Sequence, residues 1–223
     1  MKKSIQTVVI LSILLILGGC AFTQEEQDFF NEYGKGKAFM QTSAGEMISP
    51  ATPNNIQYYI EPDTLQKYHQ VFSHAIDKFN AINGINVTIT SNSSSLFRVN
   101  NSSGGTGGGT CGNPFTCNPD LIYLRNHNES LVAANLITIH SSNPTIIHSS
   151  TITFYAQQTN NLNDNELKYI ALHELGHTFG LIDREHARFR NISIMYYITD
   201  LSTTFTDELY TFDKANLEWR YGQ

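Results

Sequence analysis

The chain has 223 residues, 40% of them hydrophobic and 15% charged, with a formal net charge of −6. That length supports one core-bearing domain with short extensions. The acidic balance argues against nucleic acid as a main partner, because a phosphate-binding surface needs clustered Lys and Arg. The one local concentration of cations, Arg184, Arg188 and Arg190, is interrupted by acids.

Residues 1–19 read as a signal peptide: Lys2 and Lys3, an apolar core from Val8 to Leu17, then Gly18 and Gly19 before Cys20. The apolar run is shorter than the roughly 20 residues that span a bilayer. Leu17-Gly18-Gly19-Cys20 resembles the lipobox of bacterial lipoproteins. The resemblance implies cleavage before Cys20, a lipid on that cysteine, and an extracytoplasmic place in the cell envelope, anchored to a bacterial membrane. An ordinary cleaved signal or an uncleaved anchor are the alternatives. Setting Cys20 aside leaves Cys111 and Cys117, which are expected to form a disulfide in an oxidising compartment.

Residues 20–52 lack strong periodicity and contain Gly34, Gly36, Gly45 and Pro50, so they read as a tether or short N-terminal extension, with a short helix around 25–33. An inhibitory prosegment is the competing reading. The main domain is expected at 53–223. It opens with a strand at IQYYI, a helix capped by Asp63-Thr64 and running to about Asn80, and a strand at INVTIT. The Ser-, Asn- and Gly-rich stretch 91–120 reads as a long surface loop stapled by Cys111 and Cys117. Strands follow at DLIYLRN, LITIH and STITFYAQ. A second helix, capped by Asn163 or Asp164, ends at Gly180, and a C-terminal helix begins near Thr206 with Asp207 and Glu208 at its start. The fold class is α+β, with a mixed, twisted sheet of about five strands.

Residues four apart share a helix face, so His173 and His177 can aim two imidazoles at one ion. Glu174, one position on, can reach a water on that ion without ligating it. This is the H-E-x-x-H arrangement of zinc hydrolases. Gly180 and Asp183 extend it to H-E-x-x-H-x-x-G-x-x-D, and Ser193-Ile194-Met195-Tyr196-Tyr197 follows. The chain thereby resembles the metzincin clan of zinc endopeptidases, whose pattern is H-E-x-x-H-x-x-G-x-x-H followed by a Met-turn. The element order from about residue 55 to 222 is similar to that of matrixin-like members.

That resemblance implies a metzincin-like zincin fold with an active-site helix, a Met-turn and a C-terminal helix. It implies Zn2+ on His173, His177 and Asp183, with Asp in the third place as in snapalysin-like members and His186 as the alternative third ligand. Glu174 would be the catalytic base and acid, and Met195 the apolar floor. Tyr197 would help stabilise an oxyanion, as the matching Tyr does in astacins and serralysins. The implied activity is cleavage of extracytoplasmic proteins or peptides by a monomer, with substrate paired along an edge strand near Leu136–His140. Two rivals stand beside it: a catalytically silent lipoprotein that keeps the fold for binding, and a zinc protease of another clan with Glu208 or Glu218 as third ligand. A second, structural zinc on His127, His140 and His148 does not fit the spacing of those histidines.

Overall fold

A computed structural model of the chain describes residues 24–102, 121–125, 132–140, 142–184, 186–196 and 205–223, with the backbone alone at 121–125. The chain divides into two compact units, residues 1–34 and 35–223. The described part of the first is helix α1 (Gln24–Tyr33), in which Phe29 and Tyr33, one turn apart, bring their ring centroids to 4.8 Å. The second unit begins at Lys35, inside the stretch 20–52 expected to be a tether or extension. It opens with a 3-10 turn at Lys35–Ala38.

Along the chain follow β1 (Ser49–Pro50), β2 (Ile56–Ile60), α2 (Gln66–Asn80), β3 (Val87–Thr90), β4 (Phe97–Ser102), β5 (Leu121–Arg125), β6 (Ala133–His140), β7 (Asn143–Tyr155), α3 (Ala156–Thr159), α4 (Asp164–Thr178) and α5 (Thr211–Tyr221). The architecture is mixed α+β. Among the described residues the sheet has seven strands rather than about five, in the order β3-β2-β4-β7-β6-β5, with β1 beside the start of β7. The pairings among β1, β2, β3, β4 and β7 are parallel, and those of β6 with β7 and β5 are antiparallel.

Part of the difference in strand number is β4, which lies in the stretch expected to be a surface loop. It is an inner strand between β2 and β7. Its composition hid it, because Asn100, Asn101 and Ser102 break the apolar alternation and only Val99 is fully buried. The edge expected at Leu136–His140 is also corrected. Those residues pair with Arg125 to Leu121, so among the described residues β5 is the outer strand on that side.

In α2, Tyr68, Val71, Phe72, Ala75, Ile76 and Phe79 recur every three or four residues and form the buried stripe. Phe72 meets Tyr58 of β2 at 4.9 Å, and Phe79 stacks on Phe179 beyond α4 at 5.1 Å. The expected cap at Asp63-Thr64 is not used. The helix starts at Gln66, and Asn101 Oδ1 accepts from the Leu65 amide at 2.6 Å. α5 begins at Thr211 rather than near Thr206, since Asp207 and Glu208 turn toward Lys168 and Lys78 instead of starting a helix. None of the described helices is long and apolar enough to cross a membrane.

Candidate metal centre

The start of α4 is set by a capping box. Asn163 Oδ1 accepts from the amides of Asn165 and Glu166, and Glu166 Oε2 accepts from the Asn163 amide. Leu167, Ile170, Ala171 and Leu175 bury the helix against the sheet and α2. His173 and His177 then stand one turn apart near its C-terminal end. Gly180 takes φ +82, a left-handed conformation that favours glycine, and the chain doubles back so that Asp183 faces both histidines.

Three ligand atoms converge there. His173 Nε2 and His177 Nε2 are 3.2 Å apart, and Asp183 Oδ1 lies 3.1 Å from the first and 3.4 Å from the second. For bonds of about 2.0–2.1 Å to a tetrahedral ion, two ligand atoms stand about 3.3–3.4 Å apart. The observed triangle therefore matches one face of such a tetrahedron. The other ring nitrogens fix the tautomers: His173 Nδ1 donates to the Ile194 carbonyl and His177 Nδ1 to the Leu181 carbonyl, each at 2.8 Å. Both Nε2 atoms then present lone pairs, and Asp183 Oδ1 is buried with no hydrogen-bond donor. Three acceptors facing one another call for a cation. The His173–His177–Asp183 group could hold a metal ion.

Without a metal, a shared proton takes that part. Burial works against a charged His173, but the Asp183 carboxylate overrides it and its pKa is pushed up to about 9. The 3.1 Å approach to Oδ1 becomes a hydrogen bond only when that nitrogen carries the proton. Asp183 is subject to the same burial, and its contacts with His173 and His177 hold its carboxyl far below the usual range. Glu174, beside them and buried, has its pKa raised by desolvation, with the two histidines pulling in the opposite direction.

Several supporting residues escaped the sequence reading. Gly176 leaves room for the Met195 sulfur, which would lie 2.6 Å from a Cβ at that position. Met195 thus packs under α4, almost fully buried. Asp213, in the first turn of α5, accepts from Ser193 Oγ and from the Ile194 amide, each at 2.6 Å. It ties down the turn that carries Met195 and the carbonyl receiving His173 Nδ1; its burial pushes its pKa up to about 7. Asn135 of β6 donates through Nδ2 to the Glu174 carbonyl at 2.7 Å and to Thr178 Oγ1 at 2.9 Å, while its Oδ1 accepts from Ser150. Tyr58 Oη closes that buried network on Ser150 and Thr178. A Gly or Asn inside an apolar pattern was the available signal, but neither names its partner.

His186, the alternative third ligand, is not brought to the cluster. It is exposed, and its Nδ1 accepts from the Arg188 amide at 3.2 Å. Glu208 and Glu218 are engaged with Lys78 and Lys214 instead. Cys20, Cys111, Cys117, His127 and Tyr197 lie outside the described residues, as does the side chain of His140.

No family model matches the sequence, and no curated protein matches it. Among solved structures, that of myroilysin is similar over 78% of this chain and 96% of its own, at 14% identity and a TM-score of 0.45. A likeness that distant carries no functional weight, so the functional reading rests on the site.

Proposed function

We propose that the chain is a zinc-dependent endopeptidase that hydrolyses peptide bonds of extracytoplasmic proteins. One observation carries the reading: His173, His177 and Asp183 converge at tetrahedral spacing with a buried glutamate adjacent. His2Asp is an acceptable donor set for zinc, and three protein ligands leave a fourth position for water or substrate. A zinc ion bound there would polarise a peptide carbonyl and make water acidic enough to attack near neutral pH.

The chain's own residues supply the proton traffic. Glu174 is held by α4 with a raised pKa, which suits it to take a proton from the attacking water and deliver it to the leaving amine. An extended substrate would add to the outer strand β5 by backbone hydrogen bonds. Tyr197 belongs to this proposal as the oxyanion helper, and Met195 as the floor. Lipidation at Cys20 would place the protein on the outer face of a bacterial membrane, and Cys111 with Cys117 would staple a loop.

The test is Glu174→Gln, assayed for peptide cleavage and for metal content. Loss of a general acid-base group predicts a fall in kcat of about 10²–10⁴ with one zinc retained. Cleavage at the wild-type rate would exclude this mechanism. A wild-type protein that binds zinc but cleaves no peptide library would favour the silent binding lipoprotein.

A further inference from the structure

The segment Lys35–Ser49 is fastened at both ends to α5. At one end the Lys35 amide donates to Asn216 Oδ1 at 2.6 Å, and at the other Arg220 Nη2 donates to Ser49 Oγ at 3.1 Å. Lys35 holds φ +56, a left-handed value uncommon for a side chain of that size. Between these anchors the chain forms a small hairpin, with Gln41 bridged to Met47 and the Thr42 amide donating to the Glu46 carbonyl.

The outer arm of that hairpin grips the segment bearing Asp183. Met40 N–H donates to the Gly180 carbonyl at 2.6 Å, Phe39 bridges Leu181, and Ile182 N–H donates to the Ala38 carbonyl at 3.1 Å. Arg184 Nη2 donates to the Lys37 carbonyl at 2.9 Å, while the Arg184 amide is tied to the Met195 carbonyl at 2.7 Å. Asp183 is therefore flanked on both sides by anchored residues. The Ile48 carbonyl sits so close to Gly180 that a Cβ there would lie 2.3 Å from it. Phe39, almost fully buried, packs near Trp219 and Tyr221 of α5.

We propose that this N-terminal strap is a positioning element of the metal centre, setting the third ligand, rather than an inhibitory prosegment whose removal would free the site. The two histidines are aimed by their own helix; the Gly180 turn starts Asp183 back toward them, and the strap holds the residues on either side of it. Phe39 is the residue that wedges the strap between α5 and the ligand segment. The proposal rests on the zinc reading above.

The test compares full-length Phe39→Ala and Phe39→Leu with Phe154→Ala, a core truncation where the ring stacks on Tyr68 at 4.7 Å. Zinc affinity is measured by competition with a chelator, and exchange of the Ile182 amide is followed in the metal-free protein. The strap predicts that Phe39→Ala weakens zinc binding by about tenfold or more, the scale of lost outer-sphere support. Ile182 should also exchange at least about tenfold faster. Phe39→Leu should keep affinity within about threefold, because it retains most of the apolar wedge that Phe39→Ala removes. Phe154→Ala should lower thermal stability without weakening zinc binding. Equal affinity in both alanine variants, or equal loss in both, would overturn the proposal. A wild type that binds no zinc would instead overturn the metal reading itself.

Discussion

The two histidines and the aspartate reach the same point by different routes. His173 and His177 ride on α4, whose start is capped by Asn163 and whose apolar side is packed on the sheet and α2. Helix geometry alone then puts them one turn apart. Asp183 lies on irregular backbone beyond Gly180, and its place depends on Ala38, Lys37 and Met195, residues distant in sequence. A local pattern builds two ligands, and tertiary support builds the third. The third is accordingly the member most open to disturbance from a distance.

Removing a ligand should have the largest effect. His177→Ala and Asp183→Ala should each cost more than about 100-fold in zinc affinity, exceeding the loss of an outer-sphere partner. His186→Ala should change affinity negligibly. A greater loss of zinc from His186→Ala than from Asp183→Ala would reassign the third ligand.

Gly180→Ala separates the two routes. At φ +82, with the Ile48 carbonyl in the way, the methyl group forces the ligand segment to move, so stability should fall by more than about 1 kcal/mol. Zinc affinity should fall with it, while the helical content of α4 seen by circular dichroism stays. Unchanged affinity would show that Asp183 does not depend on that turn.

In the metal-free protein His173 and Asp183 hold a proton between them. His173 keeps its proton up to a pKa of about 9 through Asp183, so below that pH a proton must leave before zinc binds. Zinc affinity should rise by up to about tenfold per pH unit and level off above the pKa. Calorimetry in buffers of different ionisation enthalpy should find about one proton released at pH 7. No release would mean that His173 does not hold this proton beside Asp183.

The smallest effect is expected from the cap. Asn163→Ala should cost about 1 kcal/mol of stability without altering zinc affinity of the folded protein, because the cap lies three turns from His173. A loss of affinity comparable to that of Gly180→Ala would erase the distinction between the two routes.

How much of this was legible in the sequence follows the same division. His173, Glu174, His177 and the Gly180 turn could be read because one helix and one backbone conformation generate them; Asp183 could be named from its place three residues beyond that turn, but not the distant contacts that hold it. The helices Gln66–Asn80 and Asp164–Thr178 and the strand at IQYYI were legible from period and caps, although α2 starts later than Asp63-Thr64 suggested. β4 was not, since an inner strand built on Phe97, Arg98, Val99 and three polar residues looks like a loop until β2 and β7 close on it. Asn135, Gly176 and Asp213 were illegible for a related reason. Each acts on partners 15 to 43 residues away, and spacing within one chain does not disclose such pairs.

The most direct test of the central claim is an anomalous difference map at the zinc edge from crystals of the zinc-loaded protein. One strong peak is expected about 2.0–2.2 Å from His173 Nε2, His177 Nε2 and an Asp183 carboxylate oxygen. A peak coordinated by His186 in place of Asp183, or no peak at the cluster in protein shown to contain zinc, would contradict it.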